Sequence, residues 1–137
     1  MRLKQKATIQ FLSKPNNMNK TQHNNQWNYN EQVITWLQKQ GFSYNDWLIT
    51  ITFYTALHKM ERCLHDRGIW HKEIKNHKTR NTQIIREFRG KVVRSYMDLY
   101  DESKRVRYFQ SKLHNIPEPK FDHFLQLWKR DIKPFKP

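Results

Sequence analysis

Four side chains capable of acid–base or ligand chemistry recur along one stretch of the sequence: Tyr54, His58, Glu61 and His65. Their steps of four, three and four put them on one face if the stretch is helical. His and Glu three apart can ligate a metal inside a helical bundle. The other reading is a hydrogen-bonded polar seam, with His65 exposed near the helix end. A metal site would want further carboxylates from a facing helix. Asp98, Asp101 and Glu102 are available, but Asp98 and Asp101 lie among basic residues and read as solvated. The seam is therefore preferred, with Tyr54, His58 and His77 as its members and no metal.

The second group is basic. The 137 residues carry 26 Lys and Arg against 12 Asp and Glu, a formal charge of +14. Residues 1–30 hold five basic and no acidic side chains, 31–70 four of each, 71–115 twelve and five, and 116–137 five and three. An excess concentrated in this way points to a polyanion rather than to solubility alone. Lys72, Lys75 and Lys78 crowd a polar connection flanked by His71 and His77. This is either a phosphate-facing loop running into a helix N-terminus, where free amides attract anions, or a loop under which His77 packs or caps the next helix. Arg80, Arg86, Arg89, Lys91, Arg94, Lys104 and Arg105 follow on two helices, where they could track a phosphate backbone or form a solvated face. Trp27, Trp70 and Tyr108 could stack on unpaired bases or plug the bundle.

The elements that must position these groups are helices. Three glycines and a near absence of proline between Asn16 and Ile116 argue against a sandwich or barrel. Residues 1–29, rich in Asn, Gln and Lys, read as a basic polar tail. Asn30 is the expected N-cap of a first helix ending near Gly41, with Val33, Ile34, Trp36 and Leu37 inward. Ser43 and Asp46 fit a capping box for a second helix over 44–65. Its first half is apolar on most sides, as a central helix requires. Further helices are expected over 77–89, 91–109 and 120–131. Gly90 ends or bends the third, and Val92, Val93, Tyr96, Leu99, Ser103 and Val106 form the buried face of the fourth. The domain thus spans 30–133, with 134–137 as a C-terminal tail.

The order Phe53-Tyr54-Thr55-Ala56-Leu57-His58, then Leu64 and Gly68, then His77, Phe88, Tyr96 and Leu99, then Ser103-Lys104-Arg105-Val106-Arg107-Tyr108, resembles the HEPN family of small prokaryotic helical bundles over about residues 47–114. The resemblance implies a four- or five-helix bundle, usually dimeric. It also implies either a metal-independent endoribonuclease of toxin or defence type or a catalytically silent subunit of a ribonucleoprotein or enzyme complex. The family's late Arg-x4–6-His signature is matched by Arg107 and His114. It makes Arg107 the clamp on phosphorane charge and His114 the general acid or base. Tyr108 stands where an Asn commonly follows the Arg, and Asn115-Ile116-Pro117 follows His114.

The sequence therefore predicts an all-α, HEPN-like bundle that binds RNA, with DNA as the second polyanion, as a homodimer or part of a larger complex and with no cofactor. The single cysteine, Cys63, excludes an internal disulfide framework and fits a reducing compartment. No signal-peptide pattern opens the chain, so a cytoplasmic protein is expected. The strongly amphipathic basic helix that anionic membranes recruit is missing. Gly-rich phosphate loops, zinc-type Cys pairs and serine nucleophile elbows are also missing.

Overall fold

The computed structural model describes residues 18–40, 45–108 and 118–137. These form five α-helices and, among the described residues, no strand. The helices are α1 (Lys20–Lys39), α2 (Asn45–Asp66), α3 (His77–Glu87), α4 (Lys91–Tyr108) and α5 (Glu118–Gln126), with α5 running into a π-helical stretch, Leu127–Ile132. A short 3₁₀ turn, His71–Glu73, interrupts the connection to α3. No described helix is long and apolar enough to cross a membrane.

Helix α2 is the axis of the bundle and touches each of the other four. It buries Leu48, Ile49, Ile51, Phe53, Ala56, Leu57, Met60, Cys63 and Leu64, so apolar side chains leave it in several directions. Its threonines are kept inside at no cost in hydrogen bonding. Thr52 and Thr55 donate to the carbonyls of Leu48 and Ile51, each at 2.7 Å, one turn back. Gly68 ends the helix at φ +77°. Its amide donates to the carbonyl of His65, and that of Ile69 to the carbonyl of Leu64, a Schellman arrangement that a glycine permits.

Helix α1 begins well before its expected start. Asn19, not Asn30, is the N-cap. Gln22 N donates to Asn19 Oδ1 and Asn19 N to Gln22 Oε1, both at 2.9 Å. Asn30 lies inside the helix and is fully buried. The inward stripe is His23, Gln26, Asn30, Val33 and Ile34. It has helical spacing, but its first turns are polar, so apolar periodicity alone places the helix too late. The stripe meets its own needs in part, since Gln26 Nε2 donates to Asn30 Oδ1 at 2.9 Å.

Helices α3 and α4 fall close to expectation. Asn76 caps α3 through Thr79, which leaves His77 as the first helical residue rather than the cap. Phe88 is extended and Gly90 sits at φ +80°, so the chain turns there instead of bending. Val92, Tyr96, Leu99, Ser103 and Val106 of α4 are buried and Val93 is partly so.

The C-terminal segment closes the bundle. Trp128 is fully buried, packs edge-on against Trp27 and donates from Nε1 to Glu31 at 2.9 Å. Trp27 is thus partly buried against the bundle. Lys133 reaches the same carboxylate at 2.9 Å. The expected C-terminal tail is partly docked, with Phe135 edge-on to Phe88. Trp128→Ala should lower the unfolding free energy by about 3–5 kcal/mol, the usual cost of a large core truncation. Urea unfolding measures it, and a loss below ~1 kcal/mol would contradict the packing described.

Candidate functional site

The seam expected on α2 exists and is larger than its α2 members. Tyr54 is half-buried, while His58, Glu61 and His65 are all buried. His65 is therefore not the exposed helix-end residue that its position suggests. The chain that follows the helix folds over it: Nδ1 lies 2.9 Å from the Ile69 carbonyl, and Trp70 stacks on the ring at 4.4 Å between centroids. Asp98 and Asp101 are exposed, as expected. Glu102 is occupied by Arg105 and Lys120.

Arg80 is the main correction among the basic residues. It is 3% exposed, and its Nε donates to Glu61 Oε1. It is a core cation and not a phosphate contact. It lies on the only part of α3 that is buried, beside Asn81 and Ile84, so docking α3 on α2 carries the guanidinium inward. The same guanidinium donates from Nη1 to His77 Nδ1 at 3.1 Å. That bond fixes the His77 tautomer, because an accepting Nδ1 leaves the proton on Nε2. His77 also packs against the rings of Phe53 and Tyr100.

A second arginine lies at the edge of this seam. Arg107 is half-buried and donates from Nη1 to the Tyr54 hydroxyl at 3.0 Å and from Nε to the Ser103 carbonyl at 3.1 Å. Its guanidinium stands 5.8 Å from the centre of the Phe53 ring and 5.6 Å from that of Tyr54. Tyr54, His77 and Arg107 thus meet around Phe53. His114, the residue paired with Arg107 by the family signature, lies outside the described residues.

The remaining bases face outward. Lys72, Lys75, Lys78, Arg86, Arg89, Lys91, Arg94 and Lys104 are exposed. Among the described residues none of them is ion-paired. Arg89 folds back on the carbonyls of Ile85, Arg86 and Phe88 at the end of α3. Arg105 is half-buried and held by Glu102. Trp70 is 42% exposed, so one of the expected stacking aromatics remains partly open to solvent.

The sequence missed His23. It comes from α1, in the segment read as tail, and its Nδ1 lies 3.0 Å from His58 Nδ1, one ring donating to the other. The signal was present as a helical spacing from His23 to Gln26 and Asn30, but it was written in polar residues. Burial, reinforced by neighbouring positive charge, pushes His23 and His58 down to about 3. Burial and the charges of Arg80 and Arg107 hold His77 down to about 4. Burial pushes Glu61 up to about 7 against the pull of Arg80. Near pH 7, His23, His58 and His77 are therefore neutral and act as fixed hydrogen-bonding groups.

These shifts make stability depend on pH. The unfolded chain protonates its histidines near 6.5, whereas the folded chain holds His23 and His58 near 3. The unfolded state binds more protons in that interval, so stability falls as pH drops below 6.5. Glu61, raised from 4.5 to about 7, works in the opposite sense over its own interval. Two buried histidines outweigh one carboxylate, and each contributes a slope of up to about 1.4 kcal/mol per pH unit. Urea unfolding should show stability declining from pH 7 to 5, and less steeply in His58→Gln. An unchanged slope in that variant would contradict the assignment.

No protein-family model, no curated protein and no solved structure matches this chain.

Proposed function

We propose that this protein binds RNA through its exposed basic faces, as the HEPN-like reading of its sequence implies. One observation carries the reading: eight exposed Lys and Arg side chains on the connection before α3, on α3 and α4 and on the turn between them have no ion-pair partner among the described residues. Unpaired surface cations release condensed counterions when they meet phosphates, which gives affinity without sequence readout. The anchored Arg107 suits a phosphate contact, because the bonds it donates to Tyr54 and Ser103 fix its fork before any ligand arrives. Single-stranded RNA fits better than a duplex, since the partly open Trp70 offers a face on which an unpaired base can stack.

Cleavage is the second part of the proposal and rests on Arg107 with His114. His23, His58 and His77 do not supply a ready acid. His77 is neutral, with its Nδ1 engaged by Arg80. A nuclease built on this bundle would therefore work through Arg107 and His114, and a chain without that chemistry would serve as a basic assembly subunit.

A labelled RNA mixture incubated with purified protein and no added metal separates these roles. Wild type should retain RNA, and retention should fall with salt. Replacing Lys72, Lys75 and Lys78 together by Ala should reduce the salt slope by about two, the share of three phosphate contacts on a single strand. Cutting by wild type that is lost in Arg107→Ala and in His114→Ala would establish the nuclease. Retention without cutting would make the protein a binding module, and absence of salt-sensitive retention would overturn RNA binding itself.

A further inference from the structure

We propose that His23, Glu61 and His65 form a binding site for one divalent transition-metal ion of the zinc type, tying α1 to α2 inside the bundle. All three residues are buried, and one ligand atom from each lies within 4.8 Å of the others. A tetrahedral zinc shell with bonds of 2.0–2.1 Å has ligands about 3.3 Å apart. The present separations exceed that spacing by up to about 1.5 Å, a gap for side-chain rotation to close on binding.

Of the three residues, His23 has a ring nitrogen with no hydrogen-bond partner, and both ring nitrogens of His65 lie against carbonyl oxygens. His65 faces two carbonyl oxygens: that of Ile69 lies 2.9 Å from Nδ1 and that of Met18 lies 3.2 Å from Nε2. A neutral imidazole has one N–H and can serve only one of them. With the proton on Nδ1, at the shorter contact, Nε2 would be a lone pair facing the Met18 oxygen. A cation between them removes that conflict. An Nδ1–H bound to a backbone carbonyl is also the usual outer support of a metal-ligating histidine. The Met18 carbonyl oxygen, already close to the tetrahedral edge length, offers a fourth donor.

His23 has the same organisation. Its Nδ1 is engaged with His58, while its Nε2 is buried with no hydrogen-bond partner. His58 is thus the outer partner that turns His23 toward the ion. Glu61 gives Oε1 to Arg80 and retains a second carboxylate oxygen.

The donor set selects the ion. Two imidazoles and one carboxylate suit zinc and its neighbours, whereas calcium and magnesium want oxygen-rich shells. Arg80 leaves Glu61 as the only anionic ligand and makes the site still less suited to the hard cations. The reason to prefer a plain seam in the sequence was the want of further ligands on a facing helix. Asp98, Asp101 and Glu102 of α4 do not supply them. His23 of α1 does, from outside the expected domain boundary. The site shares no residue with Arg107 or the exposed bases, and although Trp70 stacks on His65 the inference does not depend on the RNA reading.

The test is a titration of the full chain at pH 7.5, after passage through a chelating resin, with Co2+ and then Zn2+. One Co2+ per chain should give visible d–d bands that Zn2+ abolishes. Zn2+ at a hundredfold excess over Kd should raise the thermal midpoint by roughly 10 °C. His23→Gln and Glu61→Gln should each weaken binding at least about tenfold, with helical content checked by circular dichroism, while His123→Gln at the surface should change nothing. Ring NMR signals of the wild type supply a readout independent of folding in the variants: Zn2+ should shift two buried histidines and spare His123. Absence of a saturable Co2+ spectrum, binding retained by folded His23→Gln, or shifts confined to His123 would each overturn the proposal.

Discussion

Arg80 of α3 and Glu61 of α2 meet in the interior with almost no exposure to water. Placing a guanidinium and a carboxylate there costs several kcal/mol per ion, and only good geometry with further hydrogen bonds offsets it. The offset here is structural. Glu61 takes Arg80 Nε, and Arg80 in turn reaches His77. Helix α3 buries only Arg80, Asn81 and Ile84, so it has little apolar surface with which to dock. Its attachment to α2 depends on this pair. Helix α1 relies on the same seam from the other side, since its first inward residue, His23, is received by His58. Helix α3 and the first turns of α1 are thus held to a mainly apolar axis by polar contacts, while Val33 and Ile34 carry the later turns of α1 into the apolar core.

That constraint shapes the outer surface. Drawing Arg80 inward leaves Lys78, Arg86 and Arg89 of the α3 region, with Lys91 and Arg94 at the start of α4, facing solvent without acidic partners among the described residues. Of the acidic residues nearby in sequence, Glu87 pairs with Arg67 and Glu102 with Arg105 and Lys120, while the exposed Asp98 and Asp101 form no ion pair among the described residues. The positive field therefore survives folding instead of being neutralised within the chain. The interior keeps His23, His58 and His77 neutral near pH 7, while the exterior presents cations without ion-pair partners among the described residues. The first gives a scaffold that acid weakens; the second gives the surface on which the RNA reading rests.

Much of the fold was legible because it is written in apolar periodicity. The central helix, the buried face of α4 and the inward Phe121, Phe124 and Trp128 all follow from spacing and residue type. The start of α1 was not legible, since His23, Gln26 and Asn30 carry the helical spacing without the hydrophobicity that marks it. The row Tyr54, His58, Glu61 and His65 could be placed on one face, but not its partners. Sequence spacing fixes neighbours along a helix and is silent about which residue of another helix arrives opposite. Arg80 shows the consequence: among so many bases, nothing local distinguishes the one that turns inward. His114 lies outside the described residues, so its pairing with Arg107 rests on the sequence resemblance.

The most direct measurement is a double-mutant cycle on the buried pair, using Glu61→Gln, Arg80→Met and the two together, with unfolding free energies read in urea at pH 7. Each single change strands one polar partner and should cost about 3–5 kcal/mol. If the pair holds α3 to α2, the double variant should cost well under the sum of the two, with a coupling energy above about 1 kcal/mol. Costs that add within about 0.5 kcal/mol would mean that the two side chains act independently. The polar seam would then not be what organises the bundle.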